Sequence, residues 1–220
     1  MRDLAYLLGT GPSLPDFDWS TVPQLSHICS INGAGLLAPH VDSMVFCDKP
    51  DRLLEDYGGP LKAMMCSPTV RKVSWRTPMT KWIKPVQYVQ RLGGPAADKE
   101  AARRRRTPVD GAKPLFYLDG LTASYALCWL ISEGFRHIVL VGHDLDPDRK
   151  RRHFWQNEEP QGHSPAQALQ DHLATMRLLW PQAREAGITL CAVPPSRLLE
   201  FMPCAATHCS TTKLSTPTSI

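Results

Sequence analysis

The stretch Leu4-Ala5-Tyr6-Leu7-Leu8-Gly9-Thr10-Gly11-Pro12-Ser13-Leu14 indicates how the chain folds. Its first five residues form an apolar run too short for a helix, which predicts a buried strand. The Gly-Thr-Gly-Pro that follows predicts an abrupt turn, and we expect its glycines to adopt positive φ and leave room for a ligand. We expect Ser13 to cap a short helix with its hydroxyl. Exposed N–H groups at such a strand–turn–helix junction attract phosphate.

Similar apolar runs recur along the chain and alternate with helical patterns. Strands are predicted at 4–8, 27–31, 43–47, 62–66, 137–141 and 188–193, and helices at 50–57, 122–133, 165–186 and 195–201. This alternation predicts an α/β fold, with a Rossmann-like, mostly parallel sheet and helices on both of its faces. Ligands bind such sheets outside the carboxyl ends of the strands, where this chain carries polar or glycine-rich residues.

The predicted organisation is one nucleotide-binding domain with an insertion and a tail. Residues 1–202 form the domain, and within it residues 67–114 are expected to be an irregular insert or lid with one strand at 86–90. Thr and Ser dominate from Pro203 onward, so residues 203–220 are expected to be disordered.

Composition limits the class of protein further. The 220 residues are 43% hydrophobic, which suits one domain with a real core, and no apolar run is long enough to cross a bilayer. No signal peptide is visible at the N-terminus. Five of the seven cysteines lie within or at the end of apolar runs, which predicts reduced thiols and a cytoplasmic protein. These are Cys29, Cys47, Cys66, Cys128 and Cys191.

The net charge of +4 is mild, but the positive charge is concentrated in two runs. These runs are 103–106 and 149–152, and the second contains Arg151 and Arg152. Such runs are either solvated loops or contacts for an anionic partner, for example a nucleotide phosphate, a lipid-linked sugar or a nucleic acid. Arg151 and Arg152 are therefore candidates for contact with a phosphate or an acceptor.

Several motifs, in order, resemble those of a known group of proteins. The matching stretches are Gly9-Thr10-Gly11-Pro12-Ser13-Leu14, Ile31-Asn32, Val45-Phe46-Cys47-Asp48, Gly120-Leu121-Thr122-Ala123, Gly142-His143-Asp144, Gly162-His163-Ser164 and Pro195-Ser196-Arg197-Leu198-Leu199. They resemble the bacterial lipooligosaccharide sialyltransferases and the related Rossmann-like family that contains archaeal hydroxymethyldihydropterin pyrophosphokinase and short phage proteins. The resemblance covers about residues 4–66 and 114–202.

The sialyltransferase resemblance implies a CMP-sugar donor, a metal-independent inverting transfer with no cofactor, and a glycan or other hydroxyl acceptor. It implies that His163 is the general base, since a neutral imidazole accepts a proton near neutral pH. A helix start beside His163 would lower its pKa and keep it neutral. The implied nucleotide site consists of Gly9, Thr10, Gly11, Ser13, Asn32, Gly33, Asp48, Thr122, Gly142 and Asp144.

The sequence also departs from the sialyltransferase pattern. Thr10 and Asp48 stand where Asn is preferred, and residues 143–165 contain no tyrosine to assist the departing phosphate. His153, Arg151 and Arg152 are candidates for that assistance, through a protonated ring or a guanidinium clamp.

Two alternatives stay open. One is a Mg²⁺-dependent pyrophosphokinase of the hydroxymethylpterin type, with Asp48, Asp119 and Asp144 near the phosphates. The other is a phage protein that binds nucleotide or nucleic acid without turnover, with glycosylation of DNA bases as a variant of the transferase. The sequence leaves the oligomeric state open.

Overall fold

The computed structural model describes residues 3–74, 86–88, 106–109, 113–117, 122–146, 153–154 and 165–205. The strands in these residues are β1 (Leu4–Leu8), β2 (His27–Ile31), β3 (Ser43–Val45), β4 (Arg71–Ser74), β5 (Val86–Tyr88), β6 (Arg106–Val109), β7 (Lys113–Tyr117), β8 (His137–Val141) and β9 (Thr189–Ala192). The α-helices are α1 (Pro50–Cys66), α2 (Thr122–Ser132) and α3 (Pro165–Glu185). Short 3-10 helices lie at Leu14–Asp16, Trp19–Thr21, Asn32–Leu37 and Arg197–Glu200.

Seven strands form one parallel sheet in the order β5-β4-β3-β2-β1-β8-β9. The chain adds strands outward from β1 to β5, and then returns to place β8 on the other side of β1. The strand order therefore reverses between β1 and β8. In open parallel sheets, a ligand crevice forms at the carboxyl ends of the strands at this switch point. The predicted α/β fold with a parallel sheet is confirmed.

The sheet is covered on both faces, which explains the nearly continuous apolar strands. Ala5 and Leu7 of β1 join a core cluster with α2 and α3, whereas Tyr6 and Leu8 join a cluster on the opposite face with Leu14. Each buried aliphatic side chain contributes about 1.5–3 kcal/mol relative to an exposed one. Burial on both faces thus leaves few polar positions in the central strands.

Helix α1 corrects one sequence expectation, because residues 62–66 are helical rather than a strand. The helix predicted to end at Tyr57 continues to Cys66 across a kink at Gly58, which has φ 66° and ψ −152°. Gly58 and the Pro60 that follows imitate a helix stop. The helix resumes because Leu61 continues the buried stripe on the far side of the kink.

The stretch expected to be an irregular insert contributes regular structure to the sheet. Strands β4 and β5 belong to the main sheet, and the strand predicted at 86–90 is observed at Val86–Tyr88. Strands β6 and β7 form a separate antiparallel pair that begins at Arg106. At the far edge, Cys204 forms a parallel bridge to Ala192 of β9. The division into a domain, an insert and a tail stays a prediction.

The five cysteines expected to be reduced carry free thiols, whereas Cys204 is disulfide-bonded. Cys66 is exposed, not part of the core, because it ends helix α1. Among the described residues, no helix is both long and apolar enough to cross a membrane.

Candidate functional site

The loops that follow β1 and β8 pack directly against each other at the switch point. The amide of Gly9 donates to the carbonyl of Val141 (2.7 Å), and the amide of Gly11 donates to the carbonyl of Gly142 (2.7 Å). A Cβ atom at Gly9 or Gly11 would lie 2.6 or 2.5 Å from the oxygen of Gly142. Both positions thus require glycine because two strand-end loops meet there.

This packing corrects two expectations about the Gly9–Gly11 turn. Positive φ occurs at Gly142 (φ 67°) and at neither Gly9 nor Gly11. The amides of Gly9, Gly11 and Ser13 all donate to acceptors within the protein. These three N–H groups are therefore not free to bind a phosphate.

Asp144 holds the end of the turn in place. Its buried carboxylate accepts the amide of Ser13 at Oδ2 (2.9 Å) and the hydroxyl of Ser13 at Oδ1. The hydroxyl of Ser13 therefore does not cap the following 3-10 helix, contrary to expectation. Charge-assisted bonds to a buried carboxylate are among the stronger hydrogen bonds in proteins. Asp144 thus joins the loop after β8 to the turn after β1.

The C-terminal motif braces the same loop from the other side. The hydroxyl of Ser196 donates to the carbonyl of His143 (2.6 Å), and the amide of Arg197 donates to the carbonyl of Asp144 (2.9 Å). The sequence resemblance included Ser196 in a motif, but its contact with the loop after β8 was not predictable from spacing.

His153 lies against the same turn. Its Nδ1 is 2.8 Å from the hydroxyl of Thr10, and the amide of Phe154 donates to the carbonyl of Thr10 (3.0 Å). The ring of Phe154 lies 6.2 Å from the ring of Tyr57 in α1. The structure therefore brings His153 to the carboxyl end of β1, at the switch point.

Asn32 follows β2 in a backbone conformation that is rare for a residue with a side chain. Its φ is 49°, and its buried Oδ1 has no hydrogen-bond partner among the described residues. Its carbonyl accepts the hydroxyl of Ser30 (3.1 Å). Strained backbone and unsatisfied buried acceptors are costly, and they concentrate at functional sites.

Gly33 allows Tyr57 to close one side of this region. A Cβ at Gly33 would overlap the Tyr57 ring, so the close packing of this ring requires glycine at position 33. Burial raises the pKa of Tyr57 above its usual range, so the phenol stays protonated. Tyr57 was missed by the sequence prediction; its place on the buried stripe of α1 was the available signal.

Asp48 lies between the end of β3 and the start of α1. Ile31 at the end of β2 pairs with Val45 at the end of β3. Asn32 directly follows Ile31, and Asp48 lies three residues after Val45. Burial raises the pKa of Asp56 in α1; Arg52 opposes this increase, whereas Asp48 adds to it. Asp48 therefore belongs to an acidic border of the site.

Two histidines lie beside the switch point, His143 buried and His172 half-buried, and the sequence did not predict their pairing. The rings of His143 and His172 are 6.3 Å apart and nearly perpendicular, and each Nε2 is buried with no partner among the described residues. Burial lowers the pKa of His143 to about 3, with a smaller effect from His172, and lowers the pKa of His172 to about 4. Both rings are neutral at pH 7.

The remaining predicted site residues divide into two groups. Thr122 begins α2, whose other end lies near the start of β8, so Thr122 is at the carboxyl edge of the sheet. The other predicted residues lie outside the described residues: His163, Arg151, Arg152 and Asp119. Within the described residues, no group of three or more metal-binding side chains is found.

Comparison with solved structures places the fold beside two sialyltransferases. The chain is similar to the sialyltransferase CstII from Campylobacter jejuni in complex with cytidine-5'-monophosphate, with a TM-score of 0.55 and 13% identity over 93% of this chain and 86% of that chain. It is similar to CstII with a trisaccharide acceptor and CMP, with a TM-score of 0.54 and 14% identity over 94% and 88%. It is also similar to the monofunctional α-2,3-sialyltransferase Cst-I from Campylobacter jejuni, with a TM-score of 0.54 and 12% identity over 94% and 81%.

At such low identity, these similarities show a sialyltransferase-like fold. No protein-family model matches the chain, and no curated protein matches it.

Proposed function

We propose that the chain is a nucleotide-dependent transferase that moves a sugar from a nucleotide donor to an acceptor hydroxyl, without a metal ion. The observation that carries the proposal is Asn32, at the carboxyl edge beside the switch point. Its strained backbone holds a buried Oδ1 that has no hydrogen-bond partner among the described residues. The similar structures with bound CMP support a cytidine nucleotide as the ligand of this edge.

In this proposal, Asn32 binds the nucleotide through its side-chain amide. Asn32 Oδ1 lacks a hydrogen-bond partner among the described residues. A hydrogen bond from a donor group of the ligand to Oδ1 would therefore contribute about 1–3 kcal/mol to binding. Gly9 and Gly11 supply a wall, Gly33 and Thr122 border the nucleotide, and Asp48 accepts hydroxyl groups of the sugar or ribose.

His153 assists the departing phosphate in this scheme. Its Nδ1 lies against the Thr10 hydroxyl, which orients the ring, and its protonated form donates to the phosphate as the bond to the sugar breaks. His163 removes the proton from the acceptor hydroxyl, and Arg151 and Arg152 contact the phosphate or the acceptor. These roles follow from the sequence resemblance and from the position of His153.

The nucleotide site is tested by removing the Asn32 amide without adding strain. Glycine adopts the positive φ of position 32 without strain, so Asn32→Gly removes the side-chain amide and leaves the backbone conformation unchanged. We expect at least about a tenfold loss of CMP affinity in titration calorimetry with EDTA present. Gln24→Gly removes an exposed amide elsewhere and serves as the matched control. Equal affinity of Asn32→Gly and the wild type would remove Asn32 from the site.

The catalytic assignment is tested separately from binding. His163→Ala is expected to lose transfer while CMP binding is retained, because a general base contributes about 10²–10⁴-fold to rate. Unchanged turnover would remove His163 as the base.

The pyrophosphokinase alternative predicts that ATP binds only with Mg²⁺, whereas the proposed transferase works in EDTA. Both carboxylate oxygens of Asp144 already accept bonds from Ser13, which disfavours Asp144 as a metal ligand. A binding protein without turnover would bind nucleotide and transfer nothing.

A further inference from the structure

Asp48 and its neighbours give one side of the candidate site a negative charge. The β2–β3 register leads from Ile31 to Asn32 on one strand, and from its partner Val45 to Asp48 on the next. Asp48 is three residues beyond Val45, in the connection that leads into α1. Asn32 and Asp48 therefore follow neighbouring parallel strands at the same carboxyl edge of the sheet, and a ligand that contacts Asn32 lies on the edge that carries Asp48.

The second turn of α1 adds more carboxylates to this border. Asp48 and Glu55 both raise the pKa of Asp56, while Arg52 acts in the opposite direction. Asp56 and Asp48 also act together on Tyr57, whose ring packs against Gly33. The charges of Asp48 and Asp56 therefore act on the residues that border Asn32.

A carboxylate is an acceptor only, so Asp48 bonds well to sugar hydroxyls or to an ammonium group. It repels a second carboxylate at short range, and this repulsion is stronger beside buried groups than in bulk water. The ligand in one further CstII structure that the chain resembles, CMP-3FNeuAc, is the CMP conjugate of a carboxylate-bearing sugar.

Resting on the proposed function, we propose that Asp48 makes this site select nucleotide donors whose sugar has no carboxylate, that is, neutral sugars or amino sugars. Asp48 is then a specificity-determining residue, and the transferred group differs in charge from a sialic acid. The site favours sugars that donate hydrogen bonds over sugars that carry an anion.

The test compares two ligands that differ in one charge. CMP-3FNeuAc and its carboxyl methyl ester are titrated calorimetrically into the full-length protein in EDTA at pH 7.5. We expect the wild type to bind the ester at least about tenfold more tightly than the acid. In Asp48→Asn, we expect this preference to fall to about twofold or less, because the uncharged amide is nearly the same size.

Asp51→Asn is the matched control, since Asp51 is exposed in the first turn of α1 and leaves the preference unchanged. If the wild type binds CMP but binds the acid and the ester equally tightly, the charge selection is overturned while the nucleotide site is retained. An equal effect of Asp48→Asn and Asp51→Asn would overturn the specific role of Asp48. CMP binding that requires Mg²⁺ and is lost in Asp48→Asn would make Asp48 a metal-ligand residue and overturn the proposal.

No measurable binding of CMP itself, with EDTA or with Mg²⁺, would instead reject the proposed function and this inference with it. The CMP titration therefore separates failure of the site from failure of its selectivity.

Discussion

Acidification is expected to destabilise this protein through His143 and His172, whose ring Nε2 atoms are both buried. The pKa of His143 falls to about 3 and that of His172 to about 4 in the folded chain, against about 6.5 in an unfolded one. The unfolded chain therefore binds more protons below pH 6.5, so their contribution to stability is intact above that pH and is lost as the pH falls toward 4.

The size of the effect follows from these values. Between pH 7.5 and pH 5, each histidine lowers the free energy of unfolding by about 2 kcal/mol, and the two together by about 4 kcal/mol. That is a large part of the stability of an ordinary domain.

The assay is urea denaturation of the wild type, His143→Leu and His172→Leu at pH 7.5, 6 and 5. Comparing each protein with itself at two pH values cancels the cost of the substitution. Subtracting this pH difference from that of the wild type then cancels the titration of the other groups. Each variant is expected to recover about 2 kcal/mol of the acid loss. The reasoning is refuted if both variants lose as much stability as the wild type.

Two further predictions concern the packing of the switch point, and both are measured by urea denaturation at pH 7.5. Gly142→Ala should cost about 2–4 kcal/mol, since its Cβ would lie 2.7 Å from the carbonyl oxygen of Gly9 at φ 67°. Gly134→Ala has a similar φ with no atom within 4 Å of its Cβ, so it should cost about 1–2 kcal/mol; equal losses would contradict the packing argument. Asp144→Asn should cost about 1–3 kcal/mol by weakening both bonds to Ser13, whereas exposed Asp16→Asn should stay within about 0.5 kcal/mol; no difference between them would contradict the role of Asp144.

The central strands were predictable because they are buried on both faces. Strands β1, β2 and β8 match their predicted bounds, since each appears in the sequence as a short, nearly continuous apolar run. The polar strand ends, together with the rule that ligands bind at the carboxyl edge, also indicated where Asn32 would lie.

Contacts between distant residues were not predictable from the sequence. The amides of Gly9 and Gly11 bond to a loop about 130 positions away, and this long-range contact removes the phosphate cradle that the local pattern suggested. The position of His153 beside Thr10 depends on the same kind of contact. The error in α1 was local, because a Gly-Gly-Pro kink resembles a helix end until the residues packed beneath it are known.

The central claim is that a cytidine nucleotide binds at the carboxyl edge beside Asn32 without a metal ion. A crystal structure of the protein grown with CMP and EDTA tests this claim most directly. We expect CMP within hydrogen-bond distance of the Asn32 side chain, bordered by the Gly9–Gly11 turn and by the start of α2. CMP bound elsewhere, for example at the amino edge near His27 and Asp42, would contradict it.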